Sequence, residues 1–283
     1  MIDAVRGFTE NEIRERLGIT TWLVRGNLAF EPEEFRRITE AGIAVIEIAQ
    51  NRDQYQEEDP ASMLPVTRAI RGAGLEVAAF HARGVHFGEG SLAECNNEIE
   101  RVTRMVDHLL ALGGKVFGTH AKMTDPCTRR GYETLARYFA GMPVKFAVEN
   151  RANDGQPAWK LVEFVDSLGL DNVGILLDVG HERDDDGRNP FTVPGRAGEV
   201  VRMIGHRLVH VHLHDLRGDV KHLPPFEGDV RWGEIFAALK EIQYGGAFVF
   251  EVGQAYFRSD ALRKIGEAPA RLAELSQNED TPA

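Results

Sequence analysis

A closed barrel of eight parallel strands, each followed by a helix, is the architecture this sequence predicts, and three observations predict it. Short β-branched and apolar runs recur eight times along the chain. Between them lie amphipathic stretches with apolar residues at three- and four-residue spacing, the mark of a helix buried on one face. Glycine falls where each helix hands over to the next strand, as a left-handed C-cap requires. Strand-then-helix repeated in this way implies parallel strands. At 283 residues, one (β/α)8 TIM barrel is an ordinary size for one domain.

The expected strands are 19–24, 44–49, 76–82, 115–121, 144–150, 173–179, 208–215 and 247–252. The clearest helix is 92–112, where Ile99, Val102, Val106, Leu109 and Leu110 line one face. Pro126 and Pro157 stand just before later helices, where a first turn tolerates proline. The handover glycines are Gly42, Gly74, Gly113–Gly114, Gly141, Gly169, Gly205 and Gly245–Gly246. No Gly-x-Gly-x-x-Gly follows the first strand, which removes the commonest reason to prefer a doubly wound open sheet. The domain is expected over 1–276, with a flexible polar tail at 277–283.

Composition narrows the function classes. A net charge of −11 argues against a general nucleic-acid surface, which draws on clustered Lys and Arg. The first residues lack the apolar core of a signal peptide, and no stretch approaches the roughly 20 apolar residues of a membrane span. Cys95 and Cys127 are the only cysteines, too few for a disulfide framework or a thiolate metal site. A soluble cytoplasmic protein, alone or as a homo-oligomer, is the expectation.

Four consecutive strands finish on polar residues: Phe-Ala-Val-Glu149, Leu-Leu-Asp178, Val-His212 and Phe-Val-Phe-Glu251. In a closed barrel the C-terminal strand ends form the active-site mouth. Charge at the end of a buried strand is costly unless paired or ligating. Taken singly, each is explained by a salt bridge or a hydrogen-bonded core histidine; together, three carboxylates call for a counter-charge. One imidazole with three carboxylates is an oxygen-rich set. It suits one divalent ion, Mn2+ first, with Mg2+, Co2+ or Zn2+ as alternatives.

Earlier strands end on Glu47, His81 and His120, while His181 follows Asp178 closely and His222 lies in the loop after strand seven. His210, His212 and His214 alternate onto one face of strand seven. His210 reads as a satisfied core residue, and His214 as either core or site. Arg83, Lys122, Arg151, Arg183, Arg217 and Lys221 cluster in the same loops. They either balance an acidic mouth or clamp a substrate phosphate or carboxylate. Trp22, Phe80, Trp159 and Trp232 are candidates for an apolar wall against a sugar face. Core packing explains Trp232, which opens an expected helix at 232–242, at least as well.

The motifs Val-Glu-Asn (148–150), Leu-Leu-Asp-Val-Gly-His (176–181), Val-His-Leu-His-Asp (211–215) and Phe-Glu-Val (250–252) resemble those of the sugar phosphate isomerase/epimerase superfamily, the xylose-isomerase-like barrels. The loop 221–232 resembles that family's loop after strand seven. The resemblance implies Glu149, Asp178, His212 and Glu251 as metal ligands, with Glu149 and Glu251 also the paired acid and base. His181, His81, His120, Glu47 and His222 are the expected substrate contacts, together with Arg183, Arg217 and Lys122. The implied reaction is isomerisation or epimerisation of a small ketose, sugar phosphate or related polyol through an enediolate. An inosose-type dehydratase would use the same scaffold. So would an endonuclease IV-like phosphodiester hydrolase with three zinc ions. That relative's Asp-x-His pair reads Val220-Lys221-His222 here, with Asp219 one residue out of register, which puts a trinuclear centre in doubt.

Overall fold

The computed structural model describes residues 7–24, 32–50, 55–87, 91–256 and 259–277. Seven strands come first: β1 (Leu17–Thr20), β2 (Val45–Ala49), β3 (Glu76–Ala82), β4 (Val116–Thr119), β5 (Lys145–Glu149), β6 (Val173–Asp178) and β7 (Leu208–Leu213). An antiparallel hairpin of β8 (Asp215–Arg217) and β9 (Val220–Leu223) follows, and then β10 (Phe248–Phe250). β1 to β7 and β10 close a parallel barrel, in which β10 enters between β1 and β7. The barrel is the architecture the sequence predicts. The hairpin is not; it rises from the loop after β7 and stands over the mouth.

Nine helices alternate with the strands among the described residues: α1 (Glu10–Arg14), α2 (Pro32–Glu40), α3 (Pro60–Ala73), α4 (Leu92–Ala111), α5 (Pro126–Tyr138), α6 (Ala158–Leu168), α7 (Arg196–Ile204), α8 (Trp232–Glu241) and α9 (Ala261–Gln277). Their ends follow from local chemistry. Ser91 caps α4 reciprocally with Glu94, satisfying donors that no earlier carbonyl can reach. Pro126 opens α5 and Pro157 precedes α6. Gly74 ends α3 at φ 73°, a conformation that penalises any residue with a Cβ. At the last crossing the expected glycines are not the ones used, since Gln243 takes the left-handed position at φ 57°. Beyond Gln277, the expected tail lies outside the described residues.

The first strand departs from its expected bounds. It runs Leu17–Thr20 rather than 19–24. The Thr20 hydroxyl accepts from the Trp22 N–H at 2.9 Å, while the Leu23 and Val24 N–H groups turn back to the Thr20 and Thr21 carbonyls. Leu23 and Val24 are buried all the same, so their apolar character reflects packing of a turn against the core.

The reading of the cysteines needs correction too. Cys95, in the first turn of α4, is disulfide-bonded to Cys127 at the start of α5, with Cα atoms 5.8 Å apart. Two cysteines make no framework, yet one bond ties together the helices that leave β3 and β4. No described helix is long and apolar enough to cross a membrane.

Unreduced protein denatured in the presence of a thiol reagent is expected to show no free thiol. Reduction should lower the unfolding free energy by about 3–4 kcal/mol, the chain-entropy value for a loop of 32 residues. Two titratable thiols in the unreduced protein would rule the bond out.

Candidate metal centre at the barrel mouth

Parallel strands commit their backbone groups to the ladder, so polar side chains at the strand ends must find partners among themselves. In register, Asp178 on β6 stands beside His212 on β7, and His212 beside Val249 on β10. Glu251 is the next residue but one. Glu149 closes β5 on the far side of β6. All four side chains are buried.

Two atoms converge here without hydrogen-bond partners, Asp178 Oδ2 and His212 Nδ1, and Glu149 Oε2 stands beside them against two imidazole nitrogens. They belong to residues whose ligating atoms lie within 4.8 Å of one another. Two carboxylate oxygens and an imidazole nitrogen, all buried and two of them unpaired, form a donor set that suits a divalent cation. Glu251 is set slightly apart, its Oε2 3.6 Å from His212 Nδ1.

The other contacts fix how each candidate ligand is held. Asp178 Oδ1 accepts from the Gly180 N–H at 2.7 Å and from His214 Nε2 at 3.2 Å, which turns Oδ2 toward the centre. Asn150 clamps the backbone behind it, accepting from the Asp178 N–H at 2.7 Å and donating to the Asp178 carbonyl at 3.1 Å. Glu149 is ringed by imidazoles: His181 Nδ1 lies 2.8 Å from Oε1, and His81 and His120 Nε2 lie 2.8 and 2.6 Å from Oε2. Burial works to raise the Glu149 pKa, but His120 and His81 outweigh it and hold the carboxyl well below its usual range. The same contest ends oppositely at Glu251. Burial pushes it up to about 8, and the charges of Asp178 and Glu149 add to the rise against His212. Burial opposes the charge on His181, yet Asp178 and Glu149 raise it to about 9.

Among similar proteins, the sequence profile described as xylose isomerase-like TIM barrel matches residues 35–275. The chain belongs to that family. An uncharacterized protein of Methanocaldococcus jannaschii is 34% identical over 113 residues, 38% of this chain and 36% of that protein. The D-psicose 3-epimerase of Enterocloster bolteae is 34% identical over 90 residues, 32% of this chain and 26% of the enzyme. The matched stretches thus span about a third and about a quarter of those relatives. The solved 3-keto-D-glucoside 4-epimerase of E. coli superposes with a TM-score of 0.68 at 18% identity, over 92% of this chain and 99% of that one. That likeness concerns the fold.

The structure gathers most of the residues singled out from the sequence. His181, His81 and His120 all contact Glu149, and His222 donates from Nδ1 to the Glu251 carbonyl at 2.9 Å. Glu47 is gathered too, but fully buried, with its oxygens against His210 and His212. Burial works to raise its pKa and is overcome by His212 and His210. Arg183 is half-buried and donates to the Gly180 and Glu182 carbonyls, whereas Lys122 and Arg217 are exposed. Arg151 donates to His120 Nδ1 at 3.2 Å and pairs with Asp154. Burial lowers the pKa of Lys221, with Arg183 adding to the effect.

The apolar wall reduces to one member. Trp22 stands edge-on to His222 at 4.7 Å, with Arg83 over its ring. Phe80 packs against His108 of α4, Trp159 is exposed, and Trp232 is buried with its N–H on Asp215. Sequence reasoning missed Asn150 as the Asp178 clamp, although it follows Glu149 directly, and it left His214 undecided.

Replacing Asn150 by Leu strands the Asp178 N–H in the interior. The expected loss is about 1–3 kcal/mol of stability, read from denaturant unfolding. An unchanged unfolding midpoint would show that the clamp contributes nothing.

Proposed function

We propose that the chain is a divalent-metal-dependent isomerase or epimerase acting on a small ketose, a sugar phosphate or a related polyol. One observation carries this reading: carboxylates at the ends of β5 and β10 flank a metal-competent group on β6 and β7. Glu149, Asp178, His212 and Glu251 would hold the ion. When bound, it supplies Lewis-acid polarisation of a substrate carbonyl and the neighbouring hydroxyl.

The chain's own residues then handle the proton. Glu149 and Glu251 approach the carbon between those two oxygens from opposite sides, one removing its proton and the other returning one. Their environments divide the work. Three imidazoles pin Glu149, whereas among the described residues the nearest imidazole nitrogens to Glu251 lie at 3.6, 3.7 and 3.8 Å, from His212, His222 and His81. Glu251 therefore keeps the freer carboxylate. His181, held by Glu149, presents a cation to the oxygen on which charge develops as an enediolate forms. The relatives support the substrate class, since the two epimerases above are named for sugars.

A second reading, a phosphodiester hydrolase using more than one ion, draws on the group His81, His120 and Glu149. One contact weighs against it. His120 Nδ1 accepts from Arg151, so a neutral ring carries its proton on Nε2 and has no lone pair left to face an ion.

Elemental analysis after dialysis is expected to find about one divalent ion per chain, Mn2+ being best suited to the donor set; two or three zinc ions would favour the hydrolase. In D2O with Mn2+ added, an accepted ketose should gain deuterium beside its carbonyl. Glu149→Gln and Glu251→Gln should each lose turnover by ~10²–10⁴-fold while retaining most of their metal. Full turnover in both variants with metal bound would remove the proton-transfer reading.

A further inference from the structure

Glu47 stands outside the four proposed ligands, although its oxygens lie with His81 and His212 in a further group whose ligating atoms are within 4.8 Å of one another, and it makes three close contacts to two histidines of one strand. It projects from β2 and meets residues of β7, strands that are not neighbours in the barrel. Its Oε2 lies 2.7 Å from His210 Nε2, and its Oε1 and Oε2 lie 3.0 and 3.1 Å from His212 Nε2. All three side chains are 1% exposed or less.

We infer that Glu47, steadied by His210, is a positioning residue that keeps the His212 proton on Nε2 and so presents Nδ1 as the metal-binding nitrogen. The argument is one of hydrogen-bond inventory. A neutral imidazole has one N–H donor and one lone pair, and the hydrogen bond made by one nitrogen decides which form the other takes. A carboxylate on Nε2 selects the N–H there. The lone pair then stands on Nδ1, which has no hydrogen-bond partner and faces Asp178 Oδ2 at 3.8 Å and Glu251 Oε2 at 3.6 Å. His210 sits one pleat deeper on the same face of β7. By occupying Oε2 it fixes the plane of the carboxylate, and through it the rotation of the His212 ring. A carboxylate behind a ligating imidazole also makes the ring a stronger donor, and losing such a partner typically weakens metal binding ~10–100-fold.

The alternative is that the triad only neutralises a buried charge. Both accounts predict that Glu47 matters for stability, so the test needs another readout. It rests on the metal reading above, and Zn2+ serves as the probe because it is diamagnetic. Protein labelled with 15N at histidine and loaded with Zn2+ is expected to show His212 protonated at Nε2 and bare at Nδ1. Glu47→Gln keeps one oxygen acceptor and the side-chain shape, and should weaken Zn2+ affinity ~10-fold by chelator competition. Glu47→Leu removes the acceptor altogether and should lose more, and His210→Phe less than either. A proton on His212 Nδ1 in the loaded wild-type chain overturns the inference even if every variant fails to fold. So does wild-type Zn2+ affinity in folded Glu47→Gln and Glu47→Leu. If the unsubstituted chain binds no divalent ion, the metal reading falls and the positioning role falls with it; tight binding by all variants removes the positioning role alone.

Discussion

Negative charge buried in an apolar barrel is the constraint around which the rest of the mouth is arranged. Glu47, Glu149, Asp178 and Glu251 enter a space walled by Val, Ile, Leu and Phe. Each would be prohibitively costly there alone. Backbone donors are already committed to the strand ladder, and the exposed cations of the loops do not reach inward. Imidazoles supply most of the compensation, because histidine is small enough to fit at strand ends and can serve as donor or cation. Compensation is uneven: Glu47 and Glu149 are fully partnered, Asp178 is half-partnered, and Glu251 has no side-chain nitrogen of the described residues closer than 3.6 Å. The divalent ion proposed for this site would offset the remaining imbalance where it is greatest.

Much of this was legible in the sequence for a physical reason. Parallel strands buried on both faces are continuous apolar runs, so a carboxylate at the end of one stands out, and Glu149, Asp178 and Glu251 did. What could not be read was pairing across space. Glu47 and His210 lie 163 residues apart, and no spacing rule joins them. Cys95 and Cys127 are separated by 32 residues in different helices, which hid their bond. The turn after β1 was misjudged because Trp22, Leu23 and Val24 are as apolar as a strand. The β8–β9 hairpin was missed because its sequence is polar and short, and the antiparallel pairing of Asp215 with Leu223 leaves no periodic trace.

That hairpin does more than decorate the mouth. It carries His222, a residue with a Cβ held at φ 57°. Such a conformation costs of order 1–3 kcal/mol and persists only where surroundings impose it. Here the His222 N–H is taken by His214 Nδ1 and its ring donates to the Glu251 carbonyl. One strained residue thus couples the partner of Asp178 to the backbone of Glu251, linking two sides of the centre that the barrel strands alone would leave independent.

The insertion of β10 between β1 and β7 has a consequence for biosynthesis. Leu17 pairs with Phe248, so the barrel seam joins segments more than two hundred residues apart. A nascent chain cannot close that seam until residue 250 has left the ribosome. Until then β1 and β7 present open parallel edges, although the imidazole partners of Glu149, at positions 81, 120 and 181, are already made. Contacts so distant in sequence slow folding, and unpaired edges invite association with other chains. Closure of the seam is therefore a late event in making this barrel, and the period before it is the one in which a newly made chain most needs protection from its neighbours.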